Sequence, residues 1–447
     1  GYKALYWNTT GANNTASGYA ALYSNTTGEY STASGYSALY SNTTGSYNTA
    51  SGWKSIYLNT TGHSNTASGM YALYNNTTGF YNTASGKDAL YTNSTGNYNT
   101  ASGHAALYSN TTASNNVATG YYALYYNTSG YYNAASGRSA LYTNTTGVYN
   151  TASGGQALYN NTTGNYNTAC GGNALYTNTT SEQNTAVGYQ ALYTNDAWYN
   201  VAVGYQALAL NTTGARNTAI GRKALYSNTT GDFNTACGMN VFENNTTGSD
   251  NTASGYYALR ANTTGTRNAA SGHYALNANT TGSYNTAMGS NAGSSITTGD
   301  YNTCLGYNAQ PSSATVDDEV VLGDSSIATL RCNTSTISSL SDARDKVDVE
   351  PSPLGIDFIN TLNPVKFLWQ SREGNSKDGT YEIGFIAQEL QEVQKESDTE
   401  YLKMVIDENP DRLEASYAQL VPILVKALQE ATTEINILKT KVAALES

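Results

Sequence analysis

Residues 1–17 read G-Y-K-A-L-Y-W-N-T-T-G-A-N-N-T-A-S, and residues 18–34 read G-Y-A-A-L-Y-S-N-T-T-G-E-Y-S-T-A-S. The unit repeats through eighteen consecutive copies from Gly1 to Gly306, with a step of 17 residues broken once by a 16-residue copy between Gly188 and Gly204. A register this strict predicts stacked coils, because an insertion in any coil would misalign every ladder beyond it. The first two-thirds of the chain is therefore expected to be a rod that presents surface or bridges distance.

Position 5 of the unit is Leu5, Leu22, Leu39, Ile56 and onward to Leu276, with Phe242 the bulkiest variant and Gly293 a gap. One large apolar residue per coil makes a single interior ladder. Position 16 reads Ala from Ala16 to Ala287, while position 17 drifts from Ser in the early copies to Val187, Val203, Ile220, Met288 and Leu305. Short extended segments around N-T-A-x-G and A-L-Y, with turns between them, predict a parallel β-solenoid or β-roll. N-T-T-G is the expected turn, with Gly11, Gly28 and Gly45 at positive φ. Asn at positions 8 (Asn8, Asn25, Asn42) and 14 (Asn14, Asn48, Asn65) is expected to form amide ladders along the rod. Eighteen coils at about 4.8 Å each predict a shaft of roughly 85 Å.

The chain holds 40 Tyr, most of them at positions 2, 6 and 13. Position 6 is nearly invariant from Tyr6 through Tyr193 and reads as an aromatic ladder. Positions 2 and 13 vary among Tyr2, Trp53, Lys87, His104, Tyr30, Arg216 and Asp250, as a solvent-facing surface would. A Tyr ring can lie flat on a sugar, so these faces are candidates for touching glycans.

Residues 1–310 carry 9 Lys+Arg against 8 Asp+Glu, which leaves 12 against 24 for residues 311–447, so the acidity of the chain, net charge −11, belongs to that C-terminal block. The near-neutral rod has no electrostatic case for nucleic acid or an anionic membrane. No apolar run approaches the roughly 20 residues of a bilayer span. Cys170, Cys237 and Cys304 fall near the ends of their repeats, 67 residues apart, too far along one stack for disulfides, and are read as small buried hydrophobes. His63, His104 and His273 are isolated and read as surface residues. Neither a metal site nor a cofactor is expected. The acidic residues of the rod form no recurring pair such as glycan hydrolysis requires.

A core of one Leu and a few Ala per coil is thin for a chain that must fix backbone at roughly 1–2 kcal/mol per residue. Oligomerisation is the expected remedy. The N-T-A-x-G rhythm resembles the N-S-V-A-I-G repeats in the heads of trimeric autotransporter adhesins, and that resemblance implies a trimer.

After Gly306 the pattern dissolves through Pro311 and Ser312, and E-V-V-L-G (Glu319 to Gly323) is placed to add one last coil. Three motifs follow: S-D-A-R-D-K at Ser341–Lys346, G-F-I-A-Q-E-L at Gly384–Leu390, and Y-A-Q-L-V-P-I-L at Tyr417–Leu424. In this order they resemble the intramolecular chaperone domain that ends many phage tail spikes, tail fibres and endosialidases, and that recurs in a membrane-tethered animal transcription factor. The resemblance implies that the domain trimerises, folds the preceding stalk into register and cuts itself off. The scissile bond would be Leu340–Ser341, with Ser341 as nucleophile and Lys346 as its base. A Lys takes a proton from a Ser hydroxyl only when desolvation lowers its pKa, which burial at a trimer interface would supply.

The ending points to association on its own. Val421, Leu428, Ile435 and Val442 fall at one heptad position and Leu424, Ala431, Leu438 and Leu445 at the other, predicting a short coiled coil. A C-terminal clamp gives identical repeats the registration they cannot supply themselves. Phe358, Phe367, Trp369 and Phe385 are its expected packing residues.

The sequence thus predicts a mainly β chain. A trimeric β-solenoid shaft (1–310) leads through a capping or linker segment (311–340) to a small α+β chaperone domain (341–447) ending in a coiled-coil helix. The reading is a phage tail fibre acting at the host cell surface, part of the virion. Its expected partners are two further copies, a host cell-surface receptor that the Tyr faces suit to be a glycan, and the phage tail. Gly1 lies inside the repeat without an initiator Met, so the tail-attachment region is expected upstream. The alternatives are a bacterial-type trimeric surface adhesin with the same chaperone and, third, part of a polysaccharide depolymerase.

Overall fold

The computed structural model describes residues 1–327, 346–369, 381–406 and 413–446, in two units, Gly1–Leu322 and Gly323–Ser447. The first unit is a 19-stranded parallel sheet running from β1 (Thr15–Ser17) through β18 (Thr303–Leu305) to β19 (Val320–Leu322), one three-residue strand per coil. Each strand pairs with the next in matching register, Thr15 opposite Thr32 and Ala16 opposite Ala33. The short copy keeps this register, with Thr185 opposite Val201. The middle residue of each strand points into the coil and the two flanking residues point outward, as the period of two requires.

The A-L-Y segment is not extended, contrary to the sequence expectation. It is a run of turns in which the position-5 residue takes the left-handed conformation, Leu22 at φ +50° and Leu124 at φ +52°. A non-glycine residue there costs on the order of 1–2 kcal/mol. Burial of the Leu side chain offsets a cost of that size, at about 1.5–3 kcal/mol per residue. The turns lose no backbone pairing either: the Leu22 N–H donates to Ala38 O at 3.0 Å, the Ser24 N–H to Tyr40 O at 3.0 Å, and the Ala20 N–H to Tyr2 O at 2.8 Å. Hydrogen bonds between coils therefore replace strand geometry around most of the circumference.

The turn glycines also differ from expectation. Gly11, Gly28 and Gly45 do not have positive φ; that conformation belongs to the glycine opening each coil, such as Gly18 and Gly35. Gly28 is glycine because of what surrounds it: a Cβ would lie 2.5 Å from Gly45 O, 2.6 Å from Asn25 Oδ1 and 2.9 Å from Asn42 Nδ2. Its carbonyl accepts from two amides, Asn25 Nδ2 at 3.0 Å in its own coil and Asn14 Nδ2 at 2.7 Å in the preceding one. The position-8 asparagines also bond to each other, Asn25 Nδ2 to Asn8 Oδ1 at 2.7 Å and Asn42 Nδ2 to Asn25 Oδ1 at 2.8 Å, and the ladder is fully buried from Asn25 onward. A buried amide is stabilising only when its donors and acceptors are paired, and here neighbouring coils supply the pairing.

The interior is the predicted Leu ladder with two alanines per coil, as Ala21 and Ala33 flank Leu22. At the Gly293 gap, Ile296 turns inward from the position that Asn holds in other coils, its Cδ1 lying 3.2 Å from where a Cβ on Gly293 would stand. Of the three cysteines only Cys304 is buried; Cys170 and Cys237 are exposed. Cys304 pairs across the sheet with Ala287, the inward middle position, whereas Cys170 and Cys237 occupy the outward last position of β10 (Thr168–Cys170) and β14 (Thr235–Cys237). Burial pushes the Cys304 thiol up to about 11.

Position 6 forms an aromatic column in which Tyr23 and Tyr40 stack at 5.0 Å and Tyr91 and Tyr108 at 5.1 Å, continuing through Tyr176 and Tyr193 at 5.3 Å. Partial burial, a hydrogen bond with Tyr126 and the neighbouring phenols raise Tyr142 from the usual value near 10 to about 12, and burial raises Tyr57, Tyr91 and Tyr125 in the same direction. The folded chain then holds these protons above pH about 10, where the unfolded chain loses them. Stability is expected to be unaffected by these groups below pH 10 and to fall as pH rises towards 12. Thermal melts across that window, read beside phenolate absorbance, check it: a melting temperature flat to pH 12 would contradict the shifts.

The second unit holds α1 (Ile356–Thr361), an antiparallel pair β20 (Val365–Leu368) and β21 (Tyr381–Gly384), α2 (Ala387–Glu396), a short pair β22 (Val405–Ile406) and β23 (Glu414–Ala415), and the 27-residue α3 (Leu420–Glu446). Its core gathers Phe358, Leu390, Met404, Leu420 and Ile423, with Phe385 packed against them, while Phe367 and Trp369 meet edge to face at 5.3 Å. Pro422 sits in the first turn of α3, where no helical N–H is lost. Among the described residues no helix is long and apolar enough to cross a membrane.

Candidate functional site

The second and third of the C-terminal motifs meet within the second unit. Gly384 ends β21 and Phe385 leads into α2, while Tyr417 lies just before α3. The Phe385 N–H donates to Tyr417 Oη at 3.3 Å and the two rings meet edge to face at 5.6 Å. A Cβ at Gly384 would stand 2.8 Å from that hydroxyl, so the glycine makes room for the tyrosine. Near the α1 end, Glu430 of α3 accepts from the Ile356 N–H at 2.8 Å, and this bond, reinforced by Lys426 at 3.4 Å, lowers its carboxyl pKa. The carboxylate ties α1 to the long helix.

The proposed cleavage residues fall at the edge of what is described. Leu340 and Ser341 lie outside the described residues, and Lys346 opens the described segment as an exposed side chain. The long helix has two faces of different character. Leu420, Ile423 and Ala427 are buried against the domain, while the heptad residues Val421, Leu424, Leu428, Ile435, Leu438 and Val442 are exposed on the single chain.

On the rod, the exposed columns at positions 2 and 13 are built as the sequence predicts, with Tyr19 on Tyr36 at 5.1 Å and Tyr132 on Tyr149 at 5.0 Å. His104 and His273 join the position-2 column, stacking on Tyr121 and Tyr256 at 5.3 and 5.4 Å, while His63 at position 12 stacks on Phe80 at 5.1 Å. Among the described residues no group of three or more His, Cys, Asp or Glu is placed to hold a metal ion. The sequence reading passed over one constellation, a cleft at the short copy where Asp196, Trp198, Tyr199 and Arg216 come together. Its signal was the missing residue itself.

Residues 341–399 match the family model described as chaperone of endosialidase. No curated protein and no solved structure matches the chain. A 19-strand β-solenoid of 17-residue coils followed by an endosialidase-type chaperone domain is the architecture of this chain, and it fits a tail fibre or tail spike.

Proposed function

We propose that the chain is the shaft and C-terminal chaperone of a homotrimeric phage tail fibre, which acts at the host cell surface and from which residues 341–447 are released by cleavage between Leu340 and Ser341. The observation that carries the reading is the chaperone match at residues 341–399 directly behind a repetitive rod. A registration device is what identical coils need, since a chain of equal repeats pairs one step out of place at little local cost.

Two apolar surfaces left open on the single chain support the trimer. One is the exposed heptad seam of α3. The other is the outward face of the solenoid sheet, which changes from Thr and Ser in the early strands to Ile220, Met288, Leu305, Val320 and Leu322 towards the C-terminal end, all exposed. Both would be covered by association. Native mass spectrometry of the full chain is expected to give a three-chain assembly, and the double substitution Leu428→Asp with Ile435→Asp to give single chains. A wild-type monomer would overturn the trimeric fibre.

A further inference from the structure

The 16-residue copy departs from its neighbours in one place. Asn195 Nδ2 reaches the carbonyl of Ala197, two residues on, at 2.8 Å, whereas Asn178 and Asn211 reach the carbonyl three residues on. The second Thr of N-T-T-G is therefore the missing residue. The omission interrupts the interior ladder, because the fully buried Asn178 Oδ1 is left without a hydrogen-bond partner. An orphaned buried acceptor costs free energy, yet the coil carries it.

Around that gap the turn becomes a cleft of about 340 Å³. Asp196 replaces the first Thr, and its carboxylate accepts from Thr179 Oγ1 at 3.1 Å, Ser181 Oγ at 2.9 Å and the Thr179 N–H at 3.3 Å. It is held rigidly at the cleft wall. Trp198 stands beside it, 53% exposed, and enters no ring–ring contact among the described residues, unlike the stacked tyrosines. The Arg216 guanidinium is sandwiched at 5.5 Å from the Tyr199 ring and 5.2 Å from Phe233, with no carboxylate in ion-pair reach among the described residues. Thr180 and Thr213 complete the polar rim.

We propose that this cleft is a saccharide-binding site, in which a pyranose ring lies on Trp198 with its hydroxyls between Asp196 and Arg216. The inference rests on the host-receptor reading of the fibre and names its site. A sugar has an apolar C–H face and a rim of donors and acceptors. The cleft matches it with one open indole face, a fixed acceptor in Asp196 and donors in Arg216 and the indole N–H. A peptide would want deeper apolar pockets for its side chains. The site lies on the N-T-T-G turn, away from the outward sheet face that bears the apolar row.

The test is an oligosaccharide array carrying neutral hexose and uronic-acid chains, probed with the full wild-type chain, Trp198→Ala, Arg216→Gln and the control Trp7→Ala, an exposed aromatic at position 7 outside the cleft, with a whole-cell binding assay in parallel. Wild type and Trp7→Ala are expected to bind alike, Trp198→Ala to lose about tenfold or more in affinity, and Arg216→Gln to lose most on the uronic-acid arm. Because the Trp198 ring is exposed and touches no other ring, its removal is expected to leave the melting temperature unchanged. Equal binding by wild type and Trp198→Ala would overturn the site and leave the receptor reading standing. An array blank for wild type would overturn the saccharide, and the cell assay would then show whether host attachment stands without it.

Discussion

Ser341→Ala is expected to leave the purified chain at full length, while the wild-type chain is expected to separate into residues 1–340 and 341–447. The chemistry asks for little. In the proposed reaction Lys346 Nζ would take the proton from Ser341 Oγ, the oxygen would attack the Leu340 carbonyl carbon, and the Leu340–Ser341 C–N bond would break as the proton passes to the departing nitrogen. An ester between Leu340 and the Ser341 oxygen would remain, and water would hydrolyse it to a carboxylate and a hydroxyl. Lysine serves as such a base only where desolvation disfavours its charged form, and Lys346 is exposed on the single chain. Cleavage is therefore expected only after association covers it, which would make the cut a report on correct assembly. Four variants separate the roles in intact-mass and native-mass measurements. Ser341→Ala and Lys346→Ala are expected to give uncut trimers, Ser341→Cys still to cut because a thiolate is a competent nucleophile, and Leu428→Asp with Ile435→Asp to give uncut monomers. A cut monomer would break the link between assembly and cleavage, and a cut Ser341→Ala chain would remove Ser341 from the reaction.

The features legible in the sequence are those that repeat a side chain at a fixed place. The Leu5 to Leu276 ladder, the stacked amides from Asn25 onward, the Tyr6 to Tyr193 column and the heptads of α3 each follow from one residue type recurring with one period. Backbone conformation was less legible. Leu22 looks like a strand residue, and nothing local announces that it adopts φ +50°; hydrogen bonds that its segment donates to the carbonyls of Ala38 and Tyr40 in the next coil hold it there. Gly28 looks like a turn glycine, and its real constraint is the Gly45 carbonyl one coil away. The outward aim of Cys170 and Cys237 follows from the strand's period of two, which a reading of hydrophobicity alone misses. The cleft beside Trp198 was hidden for the opposite reason, since it arises from a residue that is absent.

A single methyl group at the opening glycine of one coil is expected to be among the most damaging changes to the rod. Gly137 has φ +134°, where an L-residue is strained, and an added Cβ would stand 2.5 Å from Gly154 O, 2.6 Å from Gly154 C and 3.2 Å from Gly155 N. All three are backbone atoms of the next coil, so no side chain can swing aside. The Gly137 N–H donates to Thr119 O at 2.8 Å, and Ala140 N donates back to Gly137 O at 3.3 Å, so a shift of this residue loosens both the coil below and its own turn. Backbone strain of about 1–3 kcal/mol adds to the steric clash, and Gly137→Ala should lose more than about 3 kcal/mol. In a stack held by nearest-neighbour contacts the damage divides the cooperative unit in two. Gly155→Ala is the matched control in the adjoining coil: nothing lies within 4 Å of its Cβ, its φ is not positive, and most other coils carry a side chain there. That substitution should be neutral or stabilise by about 0.4–1 kcal/mol by restricting the unfolded chain. Calorimetry of the two variants is expected to show a lowered and broadened or split transition for Gly137→Ala and a wild-type one for Gly155→Ala. Equal melting of the pair would mean that the coils are not packed at backbone contact, and the solenoid described here would be wrong at its most repeated position.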